Sequence, residues 1–398
     1  MRKKTLFITL IIFMIFLNNN ISYGYFEKIA ENSGVIIDAN SGSVIYNKNM
    51  NKKIYPASTT KILTAILTIE NLNLNSNITV SSSNMKKVPT GSSVMYLKAG
   101  DTLTVKELLY GLLLNSGNDA AIVLAENISG SINNFSLVMN EKAKSLGCIN
   151  SNFVNPHGFY NKNHYSTAYD MALIMKYASK NDAFREICET QSYLLKDKNL
   201  TFENTNQLLK ENLNYVLGGK TGFVDESGNV FISYAIKDDI KVISALYDGI
   251  NLRTTMFKDT KKLTDTVFEN YTNKIILKDS DIKISYLDKN TNTNYILGIN
   301  NSINSLTDNS FFITKYILNN FDTNNISGSI KINCGNKNWN LNNNYELKVK
   351  NKEKIISKNI FSTNILYLIS ILFCIIMIII QFRNLKKLRK ITKKIKHI

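Results

Sequence analysis

Three short motifs along the chain bring together serine hydroxyls and lysine amines, the groups needed for covalent catalysis without histidine. They are Ser58-Thr59-Thr60-Lys61, Ser116-Gly117-Asn118 and Lys220-Thr221-Gly222. Residues i and i+3 of a helix lie on one face, so this spacing predicts contact between Ser58 and Lys61. A serine hydroxyl becomes a nucleophile when an adjacent base takes its proton. The first motif therefore indicates an activated serine.

Lysine serves as such a base only while its amine is neutral. Its pKa must fall from about 10.4 towards neutrality through burial or a nearby cation, and a fall of about 3 units corresponds to about 4 kcal/mol. Lys220 is the candidate cation. We also expect Ser58 near a helix N-terminus, where backbone N–H groups favour developing negative charge. The histidines are too few and too scattered for a catalytic or metal cluster; they are His157, His164 and His397.

Local context separates these motifs from chance occurrences. Ser58 follows Pro56-Ala57 and opens an apolar helix, and Ser116 ends the apolar run 108–114. An S-x-x-K alone is more often a surface lysine beside a helix neighbour. The S-x-x-K pattern occurs again at Ser83…Lys86 and Ser280…Lys283, and the S-x-N pattern at Ser227-Gly228-Asn229, all in polar or turn contexts. The K-T-G motif occurs once. The three motifs in this order are typical of penicillin-binding proteins and class A β-lactamases.

The chain resembles the low-molecular-mass penicillin-binding proteins that are D-Ala-D-Ala carboxypeptidases of serine peptidase family S11. The resemblance extends over about residues 30–270, and more loosely to about residue 350. It is carried by the stretches Pro56–Lys61, Ser116–Ala120, Asn155-Pro156-His157-Gly158, His164–Ala168 and Gly219–Phe223. It implies an α+β, β-lactamase/transpeptidase-like catalytic domain with an antiparallel sheet flanked by helices, and no cofactor or metal.

The resemblance also implies a role for each site residue. Ser58 would attack the carbonyl between the two D-alanines, Lys61 would take its proton, and Ser116 would relay a proton to the leaving D-alanine. The substrate-binding residues would be Asn118, Lys220, Thr221, Gly222 and Phe223. Asn118 would hold the substrate's amide backbone. Lys220 and Thr221 would face its carboxylate from an edge strand. The backbone N–H groups of Ser58 and Phe223 would form the oxyanion hole. Peptidoglycan stem peptides are then the expected substrates, and β-lactam antibiotics should acylate Ser58. His157 and His164 are expected to be structural.

One position departs from the family pattern. The family usually has an arginine that helps to bind the substrate carboxylate, just before a helix like Asp259–Leu263. Met256 stands at that position here, and Arg253, three residues earlier, is the nearest candidate replacement. Either a small backbone shift brings Arg253 into the site or carboxylate binding is weaker.

Three other functions remain open from the sequence. A β-lactamase would need a deacylating glutamate in an E-x-x-L-N signature, but Glu211-Asn212-Leu213-Asn214 has the wrong spacing and lies too close to Lys220. A wall-binding protein that binds penicillin but turns over weakly is a second alternative, suggested only by Met256. A D,D-endopeptidase is the third.

Hydrophobic patterning predicts the elements that position these residues. A hairpin is expected over 34–47, followed by helices from Pro56 and over 105–114, 119–128 and 167–176, with Ser166 or Thr167 as a cap. Strands follow at 230–236 and 240–247, then a helix around 256–267. This order indicates an α+β fold with an antiparallel sheet.

The two ends indicate export and anchoring. Three cations and 13 largely apolar residues begin the chain, which predicts a signal peptide over 1–24. The serine carboxypeptidase domain is then expected over 25–272, a small all-β domain over 273–350, and a linker over 351–364. An apolar segment at 365–382 is long enough to span a membrane, and the basic tail 383–398 predicts a cytoplasmic C-terminus. We therefore expect the catalytic domain outside the cell membrane, with lipid as the partner of the C-terminal helix.

Charge and cysteine content exclude several other classes. Subtracting the three N-terminal and eight C-terminal cations from the net charge of +17 leaves +6 for the exported part. A mildly basic exported protein is not expected to bind nucleic acid. The four cysteines, Cys148, Cys188, Cys334 and Cys374, have no CxxC spacing and indicate neither a metal site nor a disulfide framework, although one bridge among the first three stays possible.

Overall fold

The computed structural model describes residues 26–249 and 252–277, together with the strand segments 284–288, 293–298, 303–307, 313–322, 327–335 and 340–354. These residues divide into two compact units: those within 1–282 and 299–347, and those within 283–298 and 348–398. The predicted signal peptide and the predicted span at 365–382 lie outside the described residues. No helix among the described residues is long and apolar enough to cross a membrane.

The helices of the first unit are α1 (Lys61–Asn71), α2 (Ser82–Met85), α3 (Val105–Leu113), α4 (Asn118–Ser129), α5 (Ile132–Ser145), α6 (Ala168–Ala178), α7 (Asp182–Glu189) and α8 (Arg253–Asn270). Short 3₁₀ turns occupy Ala57–Thr60, Lys196–Lys198 and Gln207–Lys210. Polar side chains cap several helices. The Thr167 hydroxyl accepts from the Asp170 N–H (3.0 Å) at the start of α6, which selects Thr167 of the two predicted caps.

The strands of the first unit are β1 (Ser33–Asp38), β2 (Val44–Lys48), β3 (Asn77–Thr79), β4 (Thr102–Thr104), β5 (Ser192–Leu195), β6 (Leu200–Glu203), β7 (Val216–Val224), β8 (Gly228–Lys237), β9 (Ile240–Gly249) and β10 (Thr272–Leu277). The later strands are β11 (Ile284–Asp288), β12 (Thr293–Gly298), β13 (Ile303–Thr307), β14 (Ile313–Asp322), β15 (Ser327–Gly335) and β16 (Asn340–Lys354). β11 and β12 belong to the second unit and pair antiparallel there.

The central sheet of the first unit is antiparallel, with strand order β2-β1-β9-β8-β7. β8 shows how it is held. Val230, Ile232 and Tyr234 join the core that includes α1, α4 and α6, while Phe231 points the other way and packs edge-on to Phe257 of α8 (5.1 Å between ring centroids). Both faces of β8 are therefore buried, because successive side chains of a strand point to opposite faces.

The predicted α+β class is confirmed for the catalytic part of the chain. The predicted hairpin, the helices and the strands at 230–236 and 240–247 are all present. The last predicted helix begins earlier than expected, at Arg253 instead of near Met256. β7 lies at the edge of the sheet, so the K-T-G motif is on an edge strand. Helices α2, α5 and α7 had not been predicted. The free, buried thiols of Cys148 and Cys188 exclude a bridge at either residue.

Candidate active site

Ser58 lies on a tight 3₁₀ turn that immediately precedes α1. Ala57 before it has φ +49°, an unusual backbone conformation for alanine. Gly158 packs against this turn. A Cβ atom at Gly158 would lie 1.7 Å from the Ala57 carbonyl oxygen. Only a glycine fits against the turn at this point, and its φ of +80° is one that glycine adopts readily. The close approach fixes the backbone that carries Ser58.

Lys61 begins α1 and is fully buried. Its Nζ lies 3.0 Å from the Ser58 Oγ and donates to the His157 carbonyl oxygen at 2.8 Å. Burial lowers the pKa of Lys61 well below its ordinary value, and the charge of Lys220 lowers it further, while Asp119 opposes the shift. A neutral amine in contact with a serine hydroxyl is suited to act as a base. The contact predicted from the S-x-x-K spacing is present.

The stretch Asn155-Pro156-His157-Gly158 forms the loop that holds Lys61. The Asn155 Oδ1 accepts from the Gly158 N–H (2.7 Å), which closes the loop. The Thr64 hydroxyl donates to the Pro156 carbonyl (2.6 Å) and ties the loop to α1. The His157 carbonyl is then free to accept from Lys61. This main-chain contact was not predicted, because a backbone carbonyl leaves no signature in residue type.

The two histidines of the family-like stretches are buried and neutral. The His164 Nδ1 accepts from the Val154 N–H (3.1 Å), so its Nε2–H faces the Thr60 hydroxyl (2.8 Å). The His157 Nδ1 accepts from the Phe159 N–H (3.1 Å). Burial, with the charge of Lys61 as a second cause, lowers the pKa of each to about 3. Both rings pack as uncharged groups, which fits the structural roles expected for them.

Ser116 and Lys220 form the second hydroxyl–amine contact. Ser116 follows α3 with φ +61°, and the Lys220 Nζ lies 3.1 Å from its Oγ. Lys220 is almost fully buried and also donates to the Thr221 carbonyl (2.9 Å). Burial lowers the pKa of Lys220 to about 7, with the charge of Arg253 as the next cause. Lys220 therefore titrates near neutral pH.

Asn118 begins α4 and lines the same cleft. The next residue, Asp119, accepts from the N–H groups of Met95 (2.9 and 3.1 Å) and Leu97 (3.1 Å). The Asn118 N–H in turn donates to the Ser93 carbonyl (2.8 Å). These bonds hold the segment around Ser93 against the start of α4, where it forms one wall of the cleft.

Arg253 reaches the K-T-G strand. Its guanidinium donates to the Thr221 hydroxyl (2.5 Å) and to the Thr205 carbonyl (3.2 Å), and the Thr205 and Thr221 hydroxyls are 2.7 Å apart. Met256 is buried and does not line the cleft. The earlier start of α8 places Arg253 at the helix N-terminus, beside the strand. Arg253, the candidate replacement named from the sequence, therefore contacts the K-T-G strand, whereas Met256 does not. Thr205 had not been predicted, since no motif contains it.

The cleft between these elements has a volume of about 570 Å³. Its walls are formed by Ser58, Gly91, Ser92, Ser93, Ser116, Asn118, His157, Gly158, Phe159, Tyr160, Thr205, Thr221, Gly222, Phe223, Val224, Asp225, Glu226 and Arg253. Gly222 passes so close to the serine turn that a Cβ there would lie 2.8 Å from the Ser58 nitrogen. Phe223 is exposed at the rim. Ser58, Ser116 and the K-T-G strand therefore share one cleft, with Lys61 and Lys220 behind the two serines.

The chance motifs lie elsewhere. The Ser227 hydroxyl donates to the Tyr55 carbonyl (3.0 Å) and fixes a turn, and Ser83 is exposed on α2. Ser280 lies outside the described residues. Glu211, of the stretch that was compared with a β-lactamase signature, does not line the described cleft. In the described residues the local context of each motif, and not its spelling, predicts whether it reaches the cleft.

Solved structures with a similar fold indicate one class of protein. The fold is similar to penicillin binding protein 5 from Haemophilus influenzae, with a TM-score of 0.67 and 25% identity over 82% of this chain and 98% of that one. It is also similar to the Streptomyces K15 DD-transpeptidase, with a TM-score of 0.58 and 30% identity over 62% of this chain and 99% of that one. The fold and the serine–lysine site define an α+β protein of the penicillin-binding, transpeptidase-like class.

Sequence comparison names the family. The model of Peptidase_S11, D-alanyl-D-alanine carboxypeptidase, matches residues 22–251, and the chain belongs to this family. D-alanyl-D-alanine carboxypeptidase DacF of Bacillus subtilis (strain 168) is 37% identical over 245 residues, which are 60% of this chain. The match spans 62% of the length of that relative.

Proposed function

We propose that this protein is a serine-type D-Ala-D-Ala carboxypeptidase that removes the terminal D-alanine from peptidoglycan stem pentapeptides. The observation that carries the proposal is the 3.0 Å contact between the Ser58 hydroxyl and the buried Lys61 amine, in a cleft that Arg253 of α8 also lines. Burial and the charge of Lys220 lower the pKa of Lys61, which favours the neutral amine that a base requires. The names of the relatives support the same reaction.

Acylation begins when Lys61 takes the Ser58 proton and the Oγ attacks the carbonyl carbon of the penultimate D-alanine. We assign the oxyanion hole to the N–H groups of Ser58 and Phe223, and the close approach of β7 to the Ser58 nitrogen at Gly222 supports this assignment. The C–N bond then breaks, and the proton held by Lys61 passes through the Ser116 hydroxyl to the departing amine. The products are free D-alanine and an ester on Ser58.

Deacylation returns the enzyme to its starting state. A water molecule gives a proton to Lys61 and its hydroxide attacks the ester carbonyl. The Ser58 oxygen leaves and recovers the proton from Lys61. The shortened peptide departs with a new carboxylate. β-Lactams would enter the same path and acylate Ser58.

Substrate orientation follows from the charged end of the cleft. Arg253 and the Thr221 hydroxyl line this end of the cleft and are suited to bind the terminal carboxylate, and the buried amine of Lys220 adds positive charge nearby. Asn118, on the opposite wall, is suited to hold the peptide backbone. This arrangement favours a substrate that ends one residue beyond the bond that is cut.

The decisive experiment is incubation of the protein with a muropeptide ending in D-Ala-D-Ala, followed by measurement of free D-alanine. Ser58→Ala should release none, while Ser83→Ala, which changes the serine of a chance motif, should match the wild type. Labelling of Ser58 by a fluorescent penicillin without release of D-alanine would contradict the proposal and favour a wall-binding protein. Rapid hydrolysis of nitrocefin would favour a β-lactamase.

We further propose the topology predicted from the sequence: a signal peptide over 1–24, a small all-β domain over 273–350 and a single span at 365–382 with the basic tail in the cytoplasm. All described segments between 272 and 354 are strands, which supports a β-rich region there. Protease treatment of intact spheroplasts should digest the catalytic domain and leave a C-terminal epitope protected. Protection of the catalytic domain would contradict this topology.

A further inference from the structure

The serine turn, Ala57–Thr60, carries a buried hydroxyl that the proposed mechanism does not use, that of Thr59. Thr59 is fully buried, and its Oγ1 donates to the Pro56 carbonyl at 2.5 Å. This bond takes the one proton of the hydroxyl, so the Thr59 oxygen accepts from the Tyr247 hydroxyl, which lies 2.8 Å away. The result is a directed chain of two hydrogen bonds, from Tyr247 to Thr59 and from Thr59 to Pro56.

Tyr247 connects this chain to the centre of the fold. It belongs to β9, the middle strand of the central sheet, which pairs antiparallel with both β1 and β8. Its side chain is fully buried and is part of the hydrophobic core. Burial raises the pKa of Tyr247, so its hydroxyl keeps its proton at neutral pH and remains a donor. The turn that carries Ser58 is therefore hydrogen-bonded to the most constrained part of the sheet.

The other close contacts of the turn act differently. Gly158 and Gly222 leave room for the turn, since a Cβ at either position would lie too close to its backbone, but they do not hold it. The Thr60 hydroxyl binds His164, which lies outside the strands of the central sheet. In the described part of the chain, the bond from Tyr247 is the side-chain hydrogen bond that ties this turn to the central sheet.

The hydroxyl pair supplies direction more than stability. Each buried hydroxyl loses its hydrogen bonds to water, and the bond between the two does little more than offset that loss. Valine and phenylalanine have nearly the shapes of these two side chains and would fill the same space without the loss. Apolar contacts, however, do not fix a distance and an angle as a hydrogen bond does. The turn needs such a constraint, because Ala57 has a strained φ of +49°.

We infer that Tyr247 is a positioning residue: its hydroxyl, acting through Thr59, holds the Ser58 Oγ within proton-transfer distance of the base. The inference rests on the proposed function, because it concerns the chemical steps at Ser58. Tyr247 is not among the residues that form the described cleft, so it acts through the turn and not on the substrate. A misplacement of about 1 Å at a reacting atom costs up to about 100-fold in rate, and the loss of one of several constraints should cost less.

Tyr247→Phe tests the inference, because it removes the hydroxyl and keeps the ring. On a pentapeptide ending in D-Ala-D-Ala, kcat should fall about tenfold and KM should change by less than about twofold, since the carboxylate-binding groups are untouched. The melting temperature should fall by about 2–4 °C, because Thr59 loses a partner. In Thr59→Val/Tyr247→Phe neither hydroxyl remains, so the melting temperature should recover while kcat stays at least about tenfold low. With a merely structural role, both would recover.

A conservative variant and a matched control complete the test. Thr59→Ser keeps the hydroxyl that links Tyr247 to Pro56 and should retain about half or more of the wild-type kcat. Tyr234→Phe removes another buried tyrosine hydroxyl, which donates to Glu189 (2.7 Å) and is not part of the described cleft. It should lower the melting temperature similarly and leave kcat unchanged. The inference is overturned by an unchanged kcat in Tyr247→Phe, by an equal loss of kcat in Tyr234→Phe, or by recovery of kcat in the double variant.

Failure of the proposed function is a separate outcome. If the wild type releases no D-alanine, that function fails, and the positioning of the turn is tested by hydrogen exchange of the segment 56–61, measured by mass spectrometry. Exchange there should be faster in Tyr247→Phe than in the wild type and unchanged in Tyr234→Phe. Equal exchange in the wild type and Tyr247→Phe overturns the inference. If Tyr247→Phe does not fold, Thr59→Val gives the same comparisons, because it removes the same bond from the other side.

Discussion

The amine of Lys220 lies 3.1 Å from the hydroxyl of Ser116, although the two residues are 104 positions apart in the chain. The contact joins the loop after α3 to the edge strand of the sheet. It places a cation whose pKa is about 7 behind one serine of the cleft, while Lys61 lies behind the other. The charge of Lys220 is one cause of the lowered pKa of Lys61. The two hydroxyl–amine pairs therefore form one electrostatic unit.

Lys61→Arg should slow turnover strongly. Arginine keeps the positive charge but is not deprotonated in proteins, so it cannot accept the Ser58 proton. We expect kcat/KM to fall by about 10²–10⁴-fold, measured as D-alanine release and as the rate of penicillin labelling. Lys52→Arg, at an exposed lysine, is the matched control and should retain wild-type rates. Substantial activity in Lys61→Arg would exclude Lys61 as the base.

The dependence of kcat/KM on pH should be bell-shaped. The rate rises with pH as Lys61 loses its proton, since the neutral amine is the base. It falls again as Lys220 loses the charge that helps to bind the substrate carboxylate, through its pKa of about 7. Because kcat/KM reports the free enzyme, the alkaline limb should lie near that value. A profile that still rises at pH 9 would contradict a role for charged Lys220.

Arg253→Gln should weaken substrate binding more than it slows the chemical steps. A hydrogen bond to a charged group contributes about 1.5–3 kcal/mol, so KM should rise by about 10–100-fold with a smaller change in kcat. Arg185→Gln, on α7 and away from the cleft, serves as the control. Steady-state kinetics on the same pentapeptide give both constants. An unchanged KM in Arg253→Gln would show that Arg253 does not replace the family arginine.

Gly158→Ala should disrupt the serine turn. A Cβ at this position would lie 1.7 Å from the Ala57 carbonyl, and the positive φ adds about 1–2 kcal/mol of strain. Gly130→Ala also has a positive φ (+74°), but no atom lies within 4 Å of its Cβ. Gly130→Ala should therefore lose only about 1–2 kcal/mol of the free energy of unfolding and keep penicillin labelling. Gly158→Ala should lose more stability, and labelling should fall sharply. Equal effects of the two would contradict the bracing role of Gly158.

Glu31→Gln should remove one contribution to the dependence of stability on pH. Glu31 is buried, and burial, with Asp259 as a further cause, raises its pKa from 4.5 to about 7. Between these two values the folded state holds a proton on Glu31 that the unfolded state has lost. The contribution of Glu31 to the free energy of unfolding should therefore fall as pH rises from about 5 to 7, by up to about 3 kcal/mol, and level off above. His157 and His164, whose pKa values are lowered to about 3, contribute in the opposite direction, so the effect is read as the difference between the wild type and Glu31→Gln.

Urea unfolding at several pH values measures this effect. The free energy of unfolding of the wild type minus that of Glu31→Gln should fall across the window. Glu27→Gln, at an exposed glutamate, is the matched control, and its difference from the wild type should not change with pH. A difference between the wild type and Glu31→Gln that is constant or rises between pH 5 and 7 would contradict the raised pKa of Glu31.

Local sequence by itself determined the contacts that span a few residues. The S-x-x-K spacing predicted the contact between Ser58 and Lys61, and a helix cap at Ser166 or Thr167 and the central strands followed from residue type and periodicity. These features depend on helix and strand geometry, which neighbouring residues dictate.

Tertiary structure alone decided the contacts between distant segments. The His157 carbonyl on Lys61, the Thr205 hydroxyl beside Thr221, and the reach of Arg253 past Met256 all depend on how loops and α8 pack against the sheet. The pKa values of Lys61 and Lys220 depend on the same packing, because burial is their main cause. Residue types identify the functional groups of the site. Only the packed fold fixes the distances between these groups and excludes water from them, and both effects determine their reactivity.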